Sequence, residues 1–214
     1  MGNSTIIDIV GSILIGGLLL LVAMRMNDDV TSNNFQSQEN LTIQQNMISL
    51  VNNIESDFRK IGYCADPANV PSNDSMIVSG DSMHITFLAS MYPETPSYGL
   101  LDTVEWYLGS TKLYSNMGEG DTNIRMLYRK ITDSHGAVNT YYSNLGVSLF
   151  HLLYFKRGDN SVGDTLYAIA PPTEAKLIEI DLRLEPTAAY DTAYSSNCAV
   201  WRQIRLTSMN LTNR

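Results

Sequence analysis

"STIIDIVGSILIGGLLLLVAM" (Ser4–Met24) decides the reading of this chain. No charged residue occurs between Ile9 and Met24, and the first basic residue is Arg25. Counted from Ile6, the apolar run is about 19 residues long with Asp8 as its one charge, close to the roughly 20 that span a bilayer as a helix. A secretory signal peptide would carry a basic region ahead of the apolar run and a small-x-small cleavage site after it. Neither is present, and "LVAMRM" is a poor cleavage site. The segment therefore reads as a helix for lipid or for a protein bundle, with an acid near its start.

After Arg25 the chain turns polar in "MNDDVTSNNFQSQENLTIQQN". A helical stripe follows: Met47, Leu50, Val51, Ile54, Phe58 and Ile61 recur at spacings of three and four, and Leu41 and Ile43 extend it less regularly. Gly62 suits the position just past a helix end, and Arg59 and Lys60 lie in the last turn, where the helix dipole favours cations. No proline interrupts the run from Ser4 to Gly62. Residues 1–62 are expected to form one helix, about 85 Å long over its nearly 60 residues. Residues 4–25 are its apolar segment, and the second half is amphipathic. The first half needs apolar surroundings on every side; the second needs a globular partner on one.

Beyond Cys64 the texture changes. "DPANVPSND" reads as loop. Short strand patterns then alternate with turns: "SMIV", "HITFLA", "DTVEWYLG", "NIRMLYRKI", "VSLFHLLYF", "KLIEIDLRLE" and "AVWRQIRLT". In "KLIEIDLRLE", Ile178, Ile180, Leu182 and Leu184 alternate with Leu177, Glu179, Asp181, Arg183 and Glu185, which predicts a half-buried strand. "VSLFHLLYF" is more continuously apolar and is expected to be buried on both faces. The fold class is α+β. A long N-terminal helix, apolar and then amphipathic, packs its second half on an antiparallel β-meander head formed by residues 63–214.

The formal net charge is −8 and no Lys/Arg cluster occurs, which argues against nucleic-acid binding. No HxxxH, CxxC, GxSxG or glycine-rich phosphate loop is found, so no catalytic residue, metal ligand or cofactor is assigned. Of the three histidines, His84 opens a strand, His135 sits in the turn "DSHGA", and His151 reads as a satisfied core histidine. "GEGDTN" (Glu119, Asp121) and "GDNSVGD" (Asp159, Asn160, Asp164) could hold calcium, but neither has EF-hand spacing, and Asp, Asn and Gly are ordinary turn residues. The tripeptide Arg157–Asp159 and the Asn-x-Ser/Thr sites at Asn3, Asn40, Asn73 and Asn210 recur by chance in such a chain.

The two cysteines are Cys64 and Cys198. In an exported head they are expected to pair, tying the helix end to the last strand. Closing a loop of about 130 residues is worth on the order of 4–5 kcal/mol in the loop-entropy account. In a reducing compartment they would be separate thiols.

An apolar-then-amphipathic N-terminal helix followed by a β-meander resembles the type IV pilin and pseudopilin family. "STIID" parallels the family's mature start, with Asp8 in the place of its fifth-position Glu. "IESDFRKIGYC" (Ile54–Cys64) and "VEWYLG…LYRKI" are similar to the helix end and hairpin of the PilW-type and GspJ-type minor pilin-like proteins. The resemblance implies a structural subunit, not an enzyme. It would polymerise as a homo-oligomeric helical filament, sit in the inner membrane before assembly, and be handled by a prepilin peptidase and the pilus assembly machinery. It also implies that Asp8 meets the free α-amino group of a neighbouring subunit. Gly11, Gly16 and Gly17, with Leu18 and Leu20, would form the close-packed helix surface. Processing has three frames: cleavage after Gly2 makes Asp8 the sixth residue, cleavage at Asn3 makes it the fifth, and a chain numbered from its mature start makes it the eighth. Two other readings stand beside the pilus subunit: a minor pseudopilin of a secretion system, and a single-pass anchored periplasmic binding or adhesion domain. A tethered enzyme comes third.

Overall fold

The computed structural model describes residues 2–70, 76–91, 99–109, 125–143, 146–157, 166–169, 172–185 and 200–207. It is an α+β chain; the described residues form one long helix, α1 (Gly2–Arg59), and nine strands in two antiparallel sheets. Two compact units divide at residue 42: residues 1–42, helical from Gly2 on, and residues 43–214, which contain the end of α1 and both sheets.

In the first unit α1 is apolar on every side from Ile9 to Met24 and polar beyond Arg25. The large hydrophobic residues from Ile6 to Met24 are each 54–69 % exposed. Ser12, Thr31 and Thr42 return their hydroxyls to the carbonyls of Asp8, Asn27 and Gln38 one turn back, so these helix-averse residues are satisfied locally.

In the second unit the expected stripe is the buried face of α1. Ile43, Met47, Val51, Ile54, Phe58 and Ile61 all enter the core, and Leu50 packs beside it. Leu41, expected to extend the stripe, is exposed. The helix ends at Arg59, three residues short of the expected 62, because Lys60–Gly62 form a tighter closing turn. Gly62 has φ 72°, a left-handed conformation that suits glycine, and its N–H donates to the Leu88 carbonyl at 2.8 Å. The Ser90 N–H then donates to the Tyr63 carbonyl at 2.8 Å, so the chain leaving α1 runs along a strand end.

That strand belongs to a five-stranded meander: β1 (Ile77–Gly80), β2 (His84–Ala89), β3 (Asp102–Leu108), β4 (Leu127–Thr132) and β5 (Val138–Tyr142), in sequential order. Period-two alternation sends Ile85, Phe87, Val104, Trp106, Leu127 and Ile131 into the core. The second sheet has order β7-β6-β8-β9, from β6 (Gly146–Arg157), β7 (Leu166–Ala168), β8 (Leu177–Glu185) and β9 (Val200–Leu206). The single expected meander is thus two sheets. They meet at a bridge between Arg125 and Val147, and their inner faces share one core with the end of α1.

β8 matches its pattern: Ile178, Ile180, Leu182 and Leu184 are buried. β6 does not. Val147, Phe150, Leu152 and Tyr154 are buried, whereas Leu149 is exposed and His151, Leu153 and Phe155 are half-buried. Among the described residues one face of β6 meets the core. A register slip between Val147 and Leu149 sets which residues turn inward.

Candidate assembly surface and the helix–sheet clasp

Every residue of α1 from Ile6 to Met24 is exposed, Asp8, Gly11, Gly16, Gly17, Leu18 and Leu20 included. A Cβ placed on Gly11, Gly16 or Gly17 would meet nothing within 4 Å. At about 100° per residue, Gly11 lies about 60° from Asp8, and Gly17 lies about 180° from it. The small residues are therefore spread around the helix and do not form a single seam. Gly2 and Asn3 fall in the first turn of α1. Mean hydropathy of the apolar stretch reaches 2.6, so the helix is long and apolar enough to cross a membrane.

In the second unit, a buried carboxylate that no motif marks joins α1 to the first sheet. Asp57 is only 1 % exposed, although it is charged. It follows Ile54 by three positions and precedes Phe58, so it falls within the buried arc of α1. Arg129 grips it with two hydrogen bonds, Nε to Oδ2 at 2.5 Å and Nη2 to Oδ1 at 2.7 Å. The Trp106 indole N–H donates to the same Oδ2 at 3.0 Å. Trp106 and Arg129 are direct cross-strand partners on β3 and β4, so one sheet position presents both donors to one carboxylate. The planar guanidinium fork matches the two carboxylate oxygens. Beside this clasp the Phe58 and Phe87 rings meet edge to face at 5.5 Å. The signal in the sequence was a carboxylate inside an apolar stripe.

The expected half-buried strand β8 holds a second such group. Glu179 was assigned to the polar side, yet it is 7 % exposed. Gln203 and Arg205 of β9 both donate to it. Cross-strand neighbours cover this carboxylate, although period two puts it on the face away from the core.

The histidines are accounted for without a reactive cluster. His84 Nε2 lies 3.2 Å from Glu105 Oε1 and 3.1 Å from Thr86 Oγ1. His135 is exposed in the turn closed by Asp133. His151 is half-buried on the outer face of β6, opposite Asp181, and is not a core histidine as expected. Among the described residues Tyr154 is a strongly perturbed phenol: burial, followed by the nearby Asp81 carboxylate, raises its pKa far above the usual tyrosine range. Its hydroxyl donates to the Asp81 carbonyl at 2.9 Å. Among the described residues no group of three or more His, Cys, Asp or Glu could hold a metal ion.

Cys64 carries a free thiol whose Sγ lies 3.1 Å from the carbonyl oxygens of Asp66 and Gly99. Cys198, the candidate calcium loops, and Asn73 and Asn210 lie outside the described residues. No disulfide is seen among the described residues.

No family model matches this chain, and no curated protein or solved structure matches it. The architecture itself, a long N-terminal apolar helix with antiparallel sheets, is compatible with a pilin-like fold.

Proposed function

We propose that this protein is a structural subunit of a type IV pilus-like filament, polymerising through the apolar part of α1. One observation carries the reading. A single uninterrupted helix is apolar and exposed on every side over Ile6–Met24, and it ends in the core of a β-rich head. A helix apolar all round requires lipid or other apolar helices around its whole circumference. A membrane holds such a helix before assembly, and a bundle of identical helices replaces the lipid afterwards. The circumferential spread of Gly11, Gly16 and Gly17 supports a bundle with neighbours on several sides, since small residues let helix backbones approach closely.

Asp8 then has a chemical task. A carboxylate in hydrocarbon is costly unless paired. The α-amino group of a neighbouring subunit would neutralise it and set the axial register. The head faces solvent outside the cell, and its net acidity keeps it soluble. In that oxidising location Cys64 and Cys198 would pair, and thiol-trapping mass spectrometry of the exported chain tests this.

The deciding experiment is the composition of sheared extracellular filaments. This reading requires the chain there with its apolar helix intact and a cleaved, processed N-terminus. Recovery only as a membrane-bound monomer with an unprocessed start would favour the second reading, an anchored periplasmic binding or adhesion domain.

A further inference from the structure

β5 is an outer strand of the five-stranded sheet, and all five of its residues, Val138–Tyr142, are exposed. Its pairing with β4 is continuous, without a bulge. The ladder is closed at one end by the Asp133 N–H donating to the Ala137 carbonyl, and at the other by the Ser143 N–H donating to the Leu127 carbonyl. Antiparallel alternation between these ends turns Asn139 and Tyr141 toward β4. It leaves the N–H and C=O groups of Val138, Thr140 and Tyr142 pointing away from the sheet.

Open edges are usually blunted by charge, proline, bulges or a cover. β1, at the other edge of this sheet, has both a register slip, between Ile77 and Ser79, and a cover. The cover is the 3₁₀ turn Pro172–Glu174, close enough that a Cβ on Gly80 would lie 3.1 Å from Pro172 Cγ. Among the described residues β5 has none of these devices: "VNTYY" is uncharged, without proline, and made largely of strand-forming residues, and no described segment pairs with its outer side. Beneath this edge lies a cavity of about 120 Å³, lined in part by Asn46, Ser49 and Asn53 of α1 and by Arg129, Tyr141 and Tyr142. An open ladder with a hollow alongside is the arrangement by which a sheet accepts an added strand.

We propose that the β5 edge pairs with the β5 edge of a second copy of this chain, antiparallel, about a two-fold axis at Thr140. The strand is self-complementary in that register. Val138 meets Tyr142 of the partner subunit, Thr140 meets Thr140 of the partner subunit, and every outward backbone group finds its counterpart. β-branched–aromatic and Thr–Thr pairs are favourable cross-strand neighbours. On the other face, Asn139 of the partner subunit comes opposite Tyr141 beside the cavity, whose Asn and Ser lining suits an amide. A copy is also the occupant that the charges permit. The chain carries −8 overall, so copies repel in general, yet this strand is neutral. The nearest cation on the same face, Lys130, is paired with Glu105 at 3.0 Å. On a filament surface, such two-fold contacts would join filaments side by side, but the pairing itself does not rest on polymerisation.

The test uses the full chain in detergent micelles, with cysteine placed at single exposed positions and mild oxidation. Across such a pair the Cα atoms of the two residues 140 lie about 5.5 Å apart, within the range a disulfide spans. Thr140→Cys should give a 140–140 linked dimer, confirmed by peptide mapping against links through Cys64 or Cys198. Asn139→Cys, one residue away on the same strand, should stay at the wild-type level. A mixture of Val138→Cys and Tyr142→Cys chains should give the mixed dimer, which fixes the register. Thr140→Lys, which sets two like charges across the axis, should weaken head dimerisation by at least tenfold while leaving the circular dichroism unchanged. Equal linking at positions 139 and 140, linking at neither, or no loss with Thr140→Lys overturns the proposal. Filament assembly, scored separately, reports on the pilus reading and not on this one.

Discussion

Asp57 of α1 and Arg129 of β4 stand 72 positions apart in the chain and close a bidentate ion pair at 2.5 and 2.7 Å, with the Asp57 side chain almost wholly withdrawn from water. The pair and the Trp106 indole lock the rotation of α1 against the first sheet, because only one helix orientation brings a carboxylate to both donors. Asp57→Ala takes the carboxylate away from the Arg129 guanidinium and the Trp106 indole N–H. A loss of about 3–5 kcal/mol is expected, as for other buried pairs broken on one side. Denaturant melts of the detergent-solubilised chain measure it, and a loss below about 1 kcal/mol would show that water relieves Arg129 and that the clasp is not tight.

Leu41 and Ile43 test the boundary between the two units. They are two residues apart on one helix, yet Leu41 is 58 % exposed and Ile43 is 1 % exposed. Ile43→Ala should destabilise the head by about 2–5 kcal/mol, whereas Leu41→Ala should stay within about 0.5 kcal/mol. Equal effects in thermal melts would mean that the head core starts elsewhere along α1.

Asp8→Ala probes the assembly surface without touching the head, since Asp8 belongs to the unit of residues 1–42. The head should melt at the wild-type temperature, while the yield of sheared filaments falls at least tenfold. Normal filament yield would end the register-pairing role.

Tyr154 supplies a pH dependence. Its pKa is raised in the folded chain by burial and then by Asp81, against about 10 in the unfolded chain. The neutral phenol is thus favoured by folding. Its contribution is fully present below pH 10 and is lost as pH rises through the folded-state pKa. In a spectrophotometric titration, one tyrosine should resist ionisation until the chain unfolds in alkali, and Tyr154→Phe should remove that resistant fraction. Complete tyrosine ionisation with the fold intact would contradict the burial.

Much of the architecture was legible in residue spacing. The stripe from Met47 to Ile61 and the alternation in β8 are periodic signals, and periodicity follows directly from backbone geometry. The division of the strands between two sheets was not legible. β5 follows β4 by a tight turn and stays in the meander, whereas β6 leaves it, and the local composition of the two connections does not distinguish these outcomes. The nearly continuous apolar run of β6 predicts burial on both faces. The structure buries one face, since the second sheet has the core on one side only.

The candidate surfaces divide along the same line. Ile6–Met24 needed no tertiary information, because a helix with apolar residues all round is exposed to whatever solvates it. Asp57 was visible as a carboxylate inside an apolar stripe, but its partners were not, because Trp106 and Arg129 come together only through the β3–β4 register.

The sequence by itself determined that this protein has an apolar N-terminal helix, an amphipathic continuation and a strand-rich remainder, because each is a matter of residue period and composition. Tertiary structure alone decided which carboxylates are buried and paired, how the strands divide between two sheets, and that, among the described residues, β5 is left with an open edge. Those outcomes depend on contacts between residues distant in the chain, and local spacing carries no record of which distant strand a residue will face.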